Sequence, residues 1–202
     1  MKRTIVLATN NLGKIKEILS VLTDISEYFK TLKDFPNLVL PEEIGNTYEE
    51  NAFIKAKFVA KKTGLPAIGE DSGLEIDALK GELGVYSARF GGDIAYSEKI
   101  LLVLEKMKNI PWEERKARFI CKVVFYDPET MTKFTTEGIV EGYIAFAPCG
   151  ENGFGYDPIF YYPPLDKTFG ELKEEEKNKV SHRSKAFLDM KPFLEKFLKG
   201  EV

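Results

Sequence analysis

Apolar positions along this chain recur in two periods, and the places where the period changes divide it into elements. Residues 4–9 are short, apolar and β-branched, which predicts a strand. The polar turn Asn10-Asn11-Leu12-Gly13 follows, and Ile15, Ile18, Leu19 and Leu22 then fall on one face of an amphipathic helix. Thr47-Tyr48-Glu49-Glu50 has the capping-box form. Ala52, Phe53, Ala56, Val59 and Ala60 continue one helical face from it until Gly64-Leu65-Pro66 ends the pattern. Ala67-Ile68-Gly69 leads into Glu70-Asp71-Ser72-Gly73, a polar, glycine-containing run read as a turn between strands, after which Leu74, Ile76 and Ala78 alternate as in a half-buried strand.

Ser97 opens a third helical pattern through Ile100, Leu101, Leu104 and Met107, and residues 119–126 and 134–140 flank Asp127-Pro128 like paired strands. Residues 147–164 are rich in Gly, Pro and aromatics and follow neither period, the signature of a long structured loop of the kind that often carries function. A last helix is expected from about Ser181, burying Phe187, Met190, Leu194 and Phe197, with a kink at Pro192. There is no internal repeat, low-complexity tract or linker, so residues 1–202 read as a single α/β domain.

Composition narrows the function classes. Hydrophobic residues make up 44% and charged residues 30% of the 202, enough apolar surface for one globular core. Twenty-nine Lys and Arg against thirty-two Asp and Glu leave a net charge of −3, so there is no global attraction to nucleic acid or to an anionic membrane, and an anionic ligand needs a local site. The longest apolar run, Ile100 to Leu104, is far shorter than the roughly 20 residues of a membrane span, and Met1-Lys2-Arg3 leads into no signal-peptide core. Two cysteines, Cys121 and Cys149, with one histidine, His182, exclude a disulfide framework and a structural zinc site. A reduced, cytoplasmic setting is the expectation.

Four clusters carry candidate chemistry. Thr9-Asn10-Asn11-Leu12-Gly13-Lys14, between a strand and a helix, aims backbone amides, small polar side chains and a lysine at one point, an anion-binding arrangement; an Asn-rich helix cap with a solvent-facing lysine is the plainer alternative. Glu42, Glu43, Glu70 and Asp71 lie at element ends, where two converging carboxylates can hold Mg²⁺ against phosphates, although most such carboxylates are merely solvated. Phe154-Gly155-Tyr156-Asp157-Pro158 joins a flat ring, a flexible glycine and an acceptor, the parts that stack and hydrogen-bond a base, or else a turn with buried rings. Ser181-His182-Arg183 adds donors at a helix start, and Glu174-Glu175-Glu176 before it reads as a solvated charge run.

Together these motifs resemble a known family. Ala8-Thr9-Asn10-Asn11-x-x-Lys14, Glu50-Asn51-Ala52, Asp71-Ser72-Gly73-Leu74, Tyr86-Ser87-Ala88-Arg89, Gly153-Phe154-Gly155-Tyr156-Asp157-Pro158 and Glu176-Lys177 with Ser181-His182-Arg183 are similar, in order and over nearly the whole chain, to the HAM1/RdgB family of inosine triphosphate pyrophosphatases, also called non-canonical purine NTP pyrophosphatases.

The resemblance implies an ITPase-like α/β fold, a long mixed sheet bent between two lobes with the site in a central cleft, and a homodimer. It implies hydrolysis of ITP, dITP and XTP to monophosphate and pyrophosphate. Thr9, Asn10, Asn11, Lys14 and Ser72 would bind phosphates and ribose. Phe154, Gly155, Tyr156, Asp157, Lys177, His182 and Arg183 would hold the nucleotide and its base, the donors of His182 and Arg183 suiting a 6-keto purine over adenine. Asp71 matches the general base and a Mg²⁺ ligand. The second ligand falls in Pro41-Glu42-Glu43-Ile44-Gly45, where spacing to the glycine favours Glu42, with Glu43 close behind. Glu70 stands where many bacterial members carry Asp, which leaves open whether it holds metal or tunes Asp71. The competing readings are a related Maf-type phosphatase, which would differ in product or base preference, and a catalytically silent nucleotide-binding module, against which the intact Asp71, Lys14 and acidic pair argue.

Overall fold

The structure is a computed structural model that describes residues 3–202. Seven strands form one mixed sheet in the order β2-β1-β3-β4-β5-β6-β7. They are β1 (Ile5–Leu7), β2 (Phe29–Lys30), β3 (Ala67–Ile76), β4 (Lys116–Tyr126), β5 (Lys133–Ile144), β6 (Phe160–Tyr162) and β7 (Lys167–Thr168). Parallel pairing joins β1 to β2 and β3, with Val6 opposite Ala67, whereas β6 runs antiparallel to β5 and β7. Five α-helices accompany them: α1 (Leu12–Val21), α2 (Tyr48–Thr63), α3 (Tyr96–Lys106), α4 (Glu174–Val180) and α5 (His182–Lys199).

The chain divides into two compact units, each assembled from separated segments. One comprises the described residues through Asp71 with Cys121–Gly138 and His182–Val202; the other comprises Ser72–Ile120 and Ile139–Ser181. In the first unit, β1 is buried throughout, as expected of a central parallel strand covered on both faces. Ile5, Leu7, Ile68, Cys121 and Val123 pack with Ile18, Phe187, Met190 and Leu194 of α1 and α5. Val6, Ala8 and Ala67 pack with Ala56, Val59 and Ala60 of α2. The second unit has its own core, in which Leu74, Ile76, Ile100, Val103, Phe119, Phe160 and Phe169 meet.

The helices start where their caps direct. Thr47 Oγ1 accepts the Glu50 amide, Glu50 reaches back to the Thr47 amide, and α2 ends at Gly64 with φ +70°, a left-handed cap that glycine adopts without strain. Small residues let helices approach the sheet. A Cβ on Gly69 would lie 2.0 Å from the Ala52 carbonyl oxygen, so α2 sits against β3 only because that position has no side chain.

Several elements differ from the pattern read along the chain. Glu70-Asp71-Ser72-Gly73 is no turn: β3 runs through it without a break, because its charges are neutralised in place and Gly73 stays extended. The paired strands reach further than 119–126 and 134–140, and the first strand is shorter than 4–9. The 147–164 segment is not wholly a loop, since β6 lies inside it and pairs with β5 through Ile144 and Phe160. Glu174, Glu175 and Glu176 form the first turn of α4, where acidic side chains complement the helix dipole. The last helix continues through Pro192 to Lys199.

Candidate active site

Alternation along β3 sorts its side chains between two environments in the first unit. Ala67 packs with α2, Ile68 with α1 and α5, Gly69 against α2, and Glu70 and Asp71 continue the alternation. Asp71 therefore faces α2. Its Oδ2 accepts a hydrogen bond of 3.0 Å from Asn51 Nδ2, and its Oδ1 lies 3.7 Å from Lys55 Nζ. Lys55 is buried and also donates to Glu43 Oε1 at 2.5 Å. Burial pushes the Asp71 carboxyl up to about 6; the positive charges of Lys55 and Lys14 oppose the rise and Glu43 and Glu70 add to it. The carboxylates around Lys55 outweigh its own burial and hold the ammonium pKa above the ordinary value.

Glu70 turns the other way. Its Oε1 lies 2.6 Å from Lys14 Nζ and 3.6 Å from Arg183 Nη2, and the Cys121 thiol donates to Oε2 at 3.5 Å. Burial alone would raise its pKa, but Lys14, Arg183 and Lys55 together hold it well below the usual carboxylate range. Glu70 is thus the anchor of Lys14 rather than a companion oxygen to Asp71. Arg183 donates to Glu17 Oε2 at 2.5 Å, lies 3.6 Å from Glu70 Oε1 and is buried, so its guanidinium bridges two carboxylates of this unit.

The β1–α1 connection is both a cap and a cation mount. Asn11 Oδ1 accepts the Lys14 amide at 3.1 Å, and Thr9 Oγ1 accepts the Asn11 amide at 3.2 Å, so Thr9 and Asn11 build the turn that starts α1 while Asn10 stays exposed. Of the two glutamates in the 41–45 segment, Glu42 is exposed and Glu43 is the one drawn to Lys55 beside Asp71. Spacing favoured Glu42 as the second ligand; it is the Glu43 carboxylate that the ammonium of Lys55 holds near Asp71. His182, buried, opens α5 where that helix crosses Gly138; a Cβ there would lie 2.0 Å from the His182 carbonyl oxygen.

In the second unit the aromatic segment is built around one carboxylate. Asp157 Oδ2 accepts the Phe154 amide at 2.8 Å and the Lys177 ammonium at 2.5 Å, both side chains of that ion pair being buried. Lys177 Nζ stands 4.6 Å from the Phe154 ring centroid, a cation–π contact. Gly153 has φ +73°, and a Cβ on it would come within 2.1 Å of the Asp157 carboxylate, so only glycine permits this turn. Gly155 also adopts positive φ. Tyr156 is buried and donates to the Ser87 carbonyl at 2.9 Å, and burial raises its phenol pKa. Asp157 and Tyr156 are therefore internal supports, with Phe154 and Lys177 placed by them. Ser72, next in β3 after Asp71, is half-buried.

Lys55, Glu17 and Asn51 are the participants not assigned from the sequence. Lys55 sits between Ala52, Ala56 and Val59, a lysine on the apolar face of a helix, and Glu17 lies beside Ile18 in the same manner on α1. A charge on a buried face was the available signal. Among the described residues no three His, Cys, Asp or Glu side chains cluster as a complete metal cage.

The Ham1 family profile matches residues 5–193. The chain is 64% identical over 98% of both sequences to the dITP/XTP pyrophosphatase of Dictyoglomus thermophilum, and 50% identical to that of Thermus thermophilus over 90% of this chain and 87% of the relative. Among solved structures, a HAM1 protein from Coxiella burnetii superposes with a TM-score of 0.87 at 40% identity, covering 96% of this chain and 99% of that one; the Ham1 protein of Staphylococcus aureus gives 0.82, also at 40%, covering 96% and 98%. With the motifs falling at the positions just described and the similarity running almost end to end, the chain belongs to the Ham1 family.

Proposed function

We propose that this chain hydrolyses non-canonical purine nucleoside triphosphates, dITP and XTP together with ITP, to the monophosphate and pyrophosphate, removing them from the nucleotide pool. The observation that carries the reading is Asp71: a buried carboxylate with a pKa of about 6, flanked by Glu43 and Lys55 and within electrostatic reach of Lys14. At neutral pH such a group is mostly ionised yet basic enough to take a proton, the balance a general base needs. Relatives bearing the name dITP/XTP pyrophosphatase support the substrate class.

In this reading Asp71 removes a proton from water as the water oxygen bonds to the α-phosphorus, and the bond from that phosphorus to the oxygen bridging to the β-phosphate breaks. The electron pair leaves with pyrophosphate. Lys14, held by Glu70, and the polar β1–α1 turn of Thr9, Asn10 and Asn11 bind the phosphates, with Ser72. Asp71 and Glu43 share one ammonium, Lys55, and so already accommodate a positive charge between hard carboxylate oxygens, a donor set that fits Mg²⁺ retaining waters. When bound there, Mg²⁺ would offset triphosphate charge and polarise a phosphoryl oxygen. Phe154 and Lys177, set by Asp157, take the purine, and His182 adds a donor suited to a 6-keto group. Assembly as a homodimer and a cytoplasmic location complete the proposal. No described helix is long and apolar enough to cross a membrane.

The test is a substrate panel in ¹⁸O-water with product identification and no added pyrophosphatase. Pyrophosphate with one ¹⁸O in the inosine or xanthosine monophosphate is expected. Orthophosphate with a nucleoside diphosphate would overturn the reading, as would equal turnover of ATP. Sedimentation at micromolar concentration tests the dimer.

A further inference from the structure

The first turn of α2 contains an asparagine with no solvent exposure and two partners of opposite polarity. Asn51 Oδ1 accepts the Gly45 amide at 2.8 Å, and Asn51 Nδ2 donates to Asp71 Oδ2 at 3.0 Å. An amide N–H can be received only by the carbonyl end of the side chain, so the Gly45 contact dictates that the NH₂ end points at Asp71. The loop is held close: a Cβ on Gly45 would lie 2.7 Å from Asn51 Oδ1 and 2.7 Å from Glu50 Cβ. Glu50 Oε2 accepts the Asn46 amide at 2.7 Å and the Thr47 amide at 3.2 Å, so three successive backbone amides of the segment that follows Glu43 are taken by the first turn of α2.

Asp71 needs such a restraint. A carboxylate rotates about its terminal torsion and presents either oxygen, and Lys55 at 3.7 Å from Oδ1 is a point charge with little directional demand. Asn51 supplies a directed donor to Oδ2 alone, and because its own amide cannot flip, that orientation is held before any substrate arrives.

We infer that Asn51 is a positioning residue for the hydrolysis: its side-chain amide fixes the Asp71 carboxylate in one orientation and locks the loop carrying Glu43 to the same point. The inference rests on the reading of Asp71 as the base. Losing a hydrogen bond to a charged group corresponds to about a 10- to 100-fold effect, and it should appear in kcat rather than KM, since Asn51 supports the base.

The test is a double-mutant cycle on the full-length protein. Asn51→Asp keeps an acceptor for Gly45 and removes the donor to Asp71; Asn51→Ala removes both and serves if the acidic variant fails to fold. Either should lower kcat for dITP about 10- to 100-fold with KM within about threefold, in protein with a cooperative melting transition. In an Asp71→Asn background the same substitutions should lower the residual kcat less than about threefold, because there is no base left to orient. Hydrogen exchange at Gly45 should stay slow in Asn51→Asp and become fast in Asn51→Ala. Equal losses in both backgrounds, or an unchanged kcat in the single variants, would overturn the inference alone. Parental turnover by Asp71→Asn would overturn the base assignment and the inference with it.

Discussion

Glu70 and Asp71 are neighbours in the chain whose carboxylates face opposite sides of β3 and are driven in opposite directions electrostatically. Glu70 lies 2.6 Å from Lys14 and beside Arg183, and these cations, with Lys55, overcome its burial to hold it ionised. Asp71 accepts one hydrogen bond from Asn51, lies 3.7 Å from Lys55, and is pushed up to about 6 by burial. In the proposed mechanism the two acids therefore serve as a fixed anion and a proton acceptor, a division that environment imposes on chemically similar groups.

Asp71→Asn should lose activity and gain stability. General-base catalysis contributes roughly 10²–10⁴-fold, so turnover should fall by that order. The folded-state pKa lies above the ordinary 3.8, so the native state binds the proton more tightly than the unfolded chain. The Asp71 contribution to stability is greatest below about pH 4 and declines as pH rises through about 6. At pH 7 the ionised side chain costs about 3 kcal/mol, which the neutral amide removes. Urea unfolding at pH 7 should show the variant more stable, and the difference should vanish near pH 4.

Glu70 should behave with the opposite sign. Its folded pKa is depressed below the ordinary 4.5, so the stability it contributes is present above that value and is lost progressively as pH falls below it. Glu70→Gln should flatten the acid limb of the stability curve below about pH 4.5 relative to the parent, measured by urea midpoints from pH 3 to 7. An unchanged acid limb would contradict the ion-paired anchor.

Arg183→Ala should destabilise the fold by about 3–5 kcal/mol, because it leaves Glu17 and Glu70 buried with one cation fewer. The midpoint of urea unfolding reports this, and a change under 1 kcal/mol would show that the pairing contributes little.

Glu43 and Glu42 should separate in their dependence on cation. Glu43→Gln removes the carboxylate beside Lys55 and Asp71 and should raise the Mg²⁺ concentration for half-maximal activity by about tenfold or more, whereas Glu42→Gln, altering an exposed side chain, should leave it unchanged. Exhaustive EDTA treatment should abolish turnover in the parent, with Mn²⁺ restoring it.

Gly153→Ala places a methyl group on the Asp157 carboxylate and forces φ +73° on a residue that resists it. Phe154 and Lys177 both depend on that carboxylate, so KM for dITP should rise by about tenfold, equivalent to 1.4 kcal/mol. Steady-state kinetics with dITP measure it.

What the sequence determined by itself was everything coded by local pattern. The Thr47–Glu50 capping box, the Gly64 stop, the alternation after Gly73 and the aromatic period of α5 depend on neighbours within a few residues, and the ordered motifs were enough to recognise the family. Only the tertiary structure decided how the charges are used. Glu-Asp-Ser-Gly has the composition of a turn, and it stays in a strand because Lys14, Lys55 and Arg183 arrive from elements 56, 16 and 113 residues away from whichever of Glu70 and Asp71 each one pairs with. Glu43 rather than Glu42 shares Lys55 with Asp71 for the same reason: both have the same propensity, and the difference is the position of Lys55. A carboxylate's pKa, partner and role follow from burial and from charges brought together across the fold, and no local pattern encodes those distances.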